Sequence, residues 1–168
     1  MFSEPIALNK IEASDIIDTL YRIFRRDFIE SAAMLNGAIW VDPQVARKED
    51  GRECSFWHLT SRGGPGNRFP DFQRAARLEW IKPIVSQPNA PNIRLFYHRE
   101  TSGKRDLRLY LWAVDAEFVV ILQKLGRTTT FLVTSFCVDQ PSKQRDYSAR
   151  FDRYQTKSDP DLHCCEWF

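Results

Sequence analysis

From Asn92 onward the sequence changes period. "NIRLFYHRE", "DLRLYLWA", "EFVVILQKL" and "TTTFLVTSFCVD" are four runs rich in β-branched and aromatic residues, separated by connections as short as Leu125-Gly126-Arg127. A parallel pairing needs a crossover of a dozen or more residues, so links this short predict an antiparallel meander. Such a sheet has apolar side chains that must be covered, and the flanking sequence supplies the cover. From Ser14 to about Ile29, the residues Ile16, Ile17, Leu20, Ile23, Phe24 and Phe28 recur at helical spacing. Ser14 stands at the N-cap position, Asp15 and Asp18 lie in the first turn, and Arg25 and Arg26 suit the C-terminal end of the macrodipole. Downstream, "PSKQRDYSARFDRYQ" reads as a basic helix carrying Tyr147, Phe151 and Tyr154. The expected architecture is α+β: an N-terminal helix or helices packed on a roughly four-stranded antiparallel sheet, with a C-terminal helix.

The intervening segment is read more locally. "GAIWVD" predicts a short strand, and "PQVARKEDGRE" a polar connection closed by Asp50-Gly51. "CSFWHLTS" has strand composition, "SRGGPGNR" loop composition, and "DFQRAARLEWI" predicts a short helix from Asp71 bounded by Pro70 and Pro83. With 168 residues, 43% of them hydrophobic, a single domain over 1–168 can bury a core without disulfides or metal. That core is expected over about 14–155, with 156–168 as a flexible tail. No apolar run approaches the ~20 residues of a membrane span, and "MFSEPIALNKIEAS" lacks a signal-peptide pattern, so the expectation is a cytoplasmic protein with no membrane partner. Cys54, Cys137, Cys164 and Cys165 are expected as reduced thiols. The terminal "HCCEWF" lacks the CxxC spacing of zinc knuckles, and neither metal nor cofactor is expected.

A net charge of +2 does not announce a nucleic-acid partner, but its distribution is uneven. Arg62, Arg68, Arg74, Arg77 and Lys82 crowd one segment, and Lys143, Arg145, Arg150 and Arg153 another. Together they could line a cationic cleft for RNA phosphates. His58 precedes the Gly-Gly-Pro-Gly stretch, where an imidazole could exchange a proton with a ribose hydroxyl; a lone histidine is more often a satisfied core residue. Arg74 and Arg77 share a face if their segment is helical, and either could hold a phosphate or line a solvated surface. Thr134 and Ser135 alternate on one strand, so one hydroxyl faces the core and the other the opposite side. Tyr110, on one strand face with Trp112, is a candidate base platform, although core packing is the commoner fate. Arg62, Lys143, Arg145 and Ser135 complete the candidate substrate contacts.

Four blocks carry a family resemblance: "GRECSFWHLTSRGG", "RFPDFQRAARLEWIKP", "LRLYLWAVDAEFVVILQKL" and "TFLVTSFCVDQPSKQRDYSARFDRY". Over roughly Ile16 to Tyr154 the chain resembles the phage P1-related proteins and the superfamily of barnase, EndoU, colicin and RelE-like nucleases. The resemblance implies a helical N-terminal part before a four-stranded antiparallel sheet. It also implies a metal-independent ribonuclease site of His58, Arg74 or Arg77, and Thr134, and a toxin or phage-defence role with RNA and an antitoxin or immunity protein as partners. The alternative is a non-catalytic RNA-binding or protein-interaction module on the same fold.

Overall fold

The computed structural model describes residues 2–101, 103, 106–163 and 166–167. Its central sheet corrects the expected one. Six strands, not four, run in the order β1-β2-β10-β9-β8-β7. These are β1 (Met34–Leu35), β2 (Ile39–Asp42), β7 (Ile93–Arg99), β8 (Leu107–Ala113), β9 (Phe118–Lys124) and β10 (Thr129–Cys137). The last four pair antiparallel in sequence order, as their short links require. The sheet is mixed, because β2 joins β10 in parallel with Trp40 opposite Thr129. The intervening chain supplies the crossover, which local sequence cannot reveal.

The helices are also not confined to the two ends. Five are spread through the chain: α1 (Ile16–Phe24), α2 (Cys54–Thr60), α3 (Phe72–Ala75), α4 (Ile81–Ser86) and α5 (Pro141–Gln155). Two hairpins flank α2, formed by β3 (Lys48–Glu49) with β4 (Arg52–Glu53) and by β5 (Ser61–Gly64) with β6 (Asn67–Pro70). α1 begins after Asp15 rather than Ser14, and past Phe24 the chain winds on as a π-turn over Arg25–Glu30. Leu20, Phe24 and Phe28 lie four apart and are almost wholly buried, which explains the apolar periodicity.

The segment "CSFWHLTS", expected as a strand, is α2 and its exit. Tertiary packing overrides its β-propensity: Phe56 is fully buried against Phe24 and Tyr21, at ring separations of 5.7 and 5.2 Å. The hydroxyls that suggested a strand bond back along the helix, from Thr60 Oγ1 to the Phe56 carbonyl (2.9 Å) and from Ser61 Oγ to the Trp57 carbonyl (2.7 Å). The helix expected from Asp71 is broken. Asp71 caps α3 by accepting from the Arg74 N–H, but α3 ends at Ala75, and Pro83 sits in the first turn of α4, where its missing N–H costs nothing.

Opposite faces of the sheet carry different covers. Phe96, Tyr110 and Trp112 meet Tyr147 of α5 in edge-to-face contacts. On the other face Trp80 packs edge-on against Phe118, and α4 lies against β8 and β9. The segment beyond α5 returns to the body: the His163 ring stacks on Tyr154 at 4.8 Å, and the Trp167 N–H donates to Tyr97 Oη at 3.0 Å. Cys164 and Cys165 lie outside the described residues. Among the described residues no helix is long and apolar enough to cross a membrane.

Candidate functional site

The last turn of α2, the start of α3 and the middle of β10 converge on one backbone atom. The carbonyl oxygen of His58 accepts hydrogen bonds from Arg74 Nη1 at 2.8 Å and Thr134 Oγ1 at 3.3 Å. Arg74 Nη1 also reaches the Ser61 carbonyl at 3.1 Å, and its Nε lies 3.5 Å from Asp71 Oδ2. Its side chain is only 14% exposed, so the guanidinium clamps the exit of α2 to the cap of α3. Among the described residues Nε is buried without a hydrogen-bond partner and Nη2 makes no hydrogen bond either, so Nη1 carries both bonds of the clasp. Thr134 is aimed by a register shift between Leu132 and Thr134, where β10 carries an extra residue against β9. Bulges of this kind re-aim side chains beside functional sites.

The His58 ring is exposed, and among the described residues neither ring nitrogen is hydrogen-bonded. Its pKa is held below the usual histidine value, first by the protein crowding one side of the ring and then by the charges of Arg68 and Arg74, with Glu49 opposing. The ring is therefore neutral and free to accept a proton at pH 7. Arg68 and Glu49 form a two-pronged ion pair at 2.8 and 2.6 Å, with both side chains 11% exposed. This pair ties β6 to β3, so the two hairpins hold fixed charges around the imidazole. Arg68 in turn keeps the Glu49 carboxyl below its ordinary range.

Beside this junction opens a polar cleft of about 340 Å³, lined by Arg62, Asp71, Gln73, Arg74, Phe136, Cys137, Asp139, Gln140 and Lys143. Arg62 Nε donates to Asp71 Oδ2 at 2.6 Å, and Lys143 Nζ lies 4.6 Å from the centre of the Phe136 ring. Burial pushes the Asp71 carboxyl upward, but its bonds to Arg62 and to the Arg74 N–H win, and its pKa is lowered. Burial raises the Cys137 thiol, which keeps it protonated and makes it a poor nucleophile.

The other expected residues lie elsewhere. Arg77 diverges from Arg74 because the helix between them ends: its Nη1 donates to the Gln73 carbonyl at 2.8 Å and its guanidinium lies over Trp80 at 5.1 Å. Ser135 is fully buried and its Oγ has no hydrogen-bond partner among the described residues. Tyr110 is buried beneath α5 and donates to Glu100 Oε1 at 2.5 Å, so it offers no face to a base. Arg145 lines a different groove with Arg94, Trp112 and Ser148, although Lys143, two residues earlier, reaches the cleft.

Glu49 was not singled out from the sequence. The signal was present, since Asp50 and Gly51 both take positive φ, 50° and 75°, as the Asp-Gly turn of a tight hairpin requires. Asp71 was seen as a helix start but not as the acceptor shared by Arg62 and Arg74.

No protein-family model, curated protein or solved structure matches the chain significantly. The nuclease resemblance therefore rests on the short sequence blocks alone. Among the described residues no group of three or more His, Cys, Asp or Glu side chains could hold a metal ion.

Proposed function

We propose that the chain is a metal-independent endoribonuclease that cleaves RNA by internal transesterification. The observation that carries this reading is the shared bonding of Arg74 and Thr134 to the carbonyl of His58, which gathers an imidazole, a guanidinium and a hydroxyl beside a cationic cleft. His58 takes the proton of a ribose 2′-hydroxyl as that oxygen attacks the adjacent phosphorus. The bond from phosphorus to the 5′-oxygen breaks, the departing oxygen regains a proton, and the products are a 2′,3′-cyclic phosphate and a 5′-hydroxyl. Arg74 Nη2 and Lys143 bind the phosphate oxygens, whose charge grows in the transition state. The substrate supplies the nucleophile, so no metal-bound water is required.

On this reading the partners are RNA, met in the cytoplasm, and an acidic antitoxin or immunity protein that covers the same cleft. The deciding experiment incubates purified protein with total RNA, with and without EDTA, followed by end-group analysis. Cyclic phosphate ends in both arms support the reading, and an RNA bearing a single 2′-deoxy substitution at the cut should resist cleavage. Activity only with added Mg²⁺ would overturn it.

A second reading has one observation in its favour: Arg74 and Arg62 already spend hydrogen bonds on carbonyls and on Asp71, as residues of a binding scaffold would. A non-catalytic RNA-binding module would bind in the same assay and leave every strand intact.

A further inference from the structure

The β5–β6 hairpin presents one large apolar side chain to solvent. Phe69 is 61% exposed, and its cross-strand partner is Arg62, which lines the cleft. Directly paired residues project from the same side of a ladder, with Cβ atoms ~5 Å apart. Phe69 therefore springs from beside Arg62, whose side chain is itself 71% exposed and reaches Asp71. The opposite side of the hairpin is anchored: Arg68 is locked to Glu49, and its Nη1 lies 3.4 Å from the Gly63 carbonyl. Gly63 fixes the crossing, since a Cβ there would stand 2.1 Å from the Asn67 carbonyl oxygen at a backbone φ of +89°. Phe69 is thus an exposed ring on a stiff mount rather than on a mobile loop.

We propose that Phe69 is a stacking platform for an unpaired nucleobase whose neighbouring phosphate lies on Arg62 and Lys143. The identity of the ligand rests on the ribonuclease reading. What selects a base over an apolar protein surface is charge: Arg62, the cross-strand partner of Phe69, lines a cleft with two further cationic side chains, Arg74 and Lys143, facing two carboxylates, Asp71 and Asp139, so the surface favours a polyanion carrying flat apolar groups. A base inside a duplex has no free face, so the platform selects single-stranded RNA or the loop of a folded one.

The test measures binding of a short labelled single-stranded oligoribonucleotide, and of the same strand annealed to its complement, to protein carrying His58→Ala so that the RNA survives. Added to that background, Phe69→Ala and Phe69→Leu should each weaken single-strand binding by about 5- to 100-fold, the loss expected for one base stack. Phe69→Trp should retain it, and duplex binding should change in none of them. The salt dependence should be unaltered by Phe69→Ala but reduced by Arg62→Ala. Unchanged single-strand affinity in Phe69→Ala, equal losses for single strand and duplex, or a dimer in light scattering that Phe69→Ala abolishes would each overturn the platform. Cleavage by wild-type protein is scored separately. A Phe69 effect on binding without cleavage sinks the ribonuclease reading and leaves the platform standing, cleavage without a Phe69 effect does the reverse, and no RNA binding at low salt removes both.

Discussion

Arg74 holds the carbonyl of His58 at 2.8 Å, so a guanidinium of the candidate site is also a structural clasp. Arg74→Ala should cost about 2–4 kcal/mol in chemical denaturation, because two carbonyl acceptors and part of the Asp71 charge lose their partner. Arg74→Lys should recover some of that stability but little activity, since an ammonium cannot span both carbonyls and still present a free nitrogen. An unchanged denaturation midpoint in Arg74→Ala would contradict the clasp.

The pH dependence follows from the lowered pKa of His58. A base must be unprotonated to act, so kcat/KM should rise with pH with its midpoint below 6.5, the ordinary histidine value. For stability the sign is set by proton uptake. His58 and the buried His98 both bind protons less readily folded than unfolded, so the unfolded chain takes up more protons as pH falls below 6.5. The urea midpoint should therefore drop from pH 6.5 downward and level off below the folded values. Asp71 and Glu49, whose pKa values are lowered, stabilise the fold above their ordinary values, and that contribution is lost only at more acid pH. A midpoint flat between pH 7 and 5 would refute the histidine assignment.

Arg68 and Glu49 act on His58 in opposite directions. In an NMR titration of the imidazole, Arg68→Gln should raise the His58 pKa and Glu49→Gln should lower it further. Shifts of the same sign would show that loosening the hairpins, rather than lost charge, dominates.

Neighbouring hydroxyls on β10 should respond differently. Ser135→Ala removes a buried hydroxyl that has no partner among the described residues, so stability should hold or rise by up to about 1 kcal/mol with activity unchanged. Thr134→Val keeps the shape and loses the bond to the His58 carbonyl, and cleavage should fall roughly 3- to 10-fold. Equal effects on activity would mean that the alternation of faces is not what separates them.

The four-strand meander was legible because its signals are local: alternating runs and links too short for any other pairing. The parallel partner of β10 was not, since Trp40 meets Thr129 only after the whole intervening chain is placed. α2 misled for a related reason, as Phe56 and the hydroxyls of Thr60 and Ser61 have strand composition, and only packing against α1 makes them helical. In the site, residue chemistry pointed to His58, to Arg74 or Arg77 and to Thr134 or Ser135, and the structure joins Arg74 and Thr134 at the His58 carbonyl. Arg77 was expected beside Arg74 because a continuous helix was assumed, and Tyr110 stayed open as a base platform beside the commoner core reading because a strand pattern does not say which face a helix will cover. Phe69, the ring left open, directly follows the stretch "SRGGPGNR" read as a loop, and no local signal singles it out.

The seam between β2 and β10 also orders events in time. During translation β2, both hairpins and the imidazole emerge early, whereas Thr134, which bonds the His58 carbonyl, and Phe136 and Lys143, which line the cleft, emerge late. A nascent chain therefore carries the imidazole before it carries the β10–α5 surface beside it. On the ribonuclease reading, the messenger being translated is spared by the enzyme it encodes until the sheet is nearly complete.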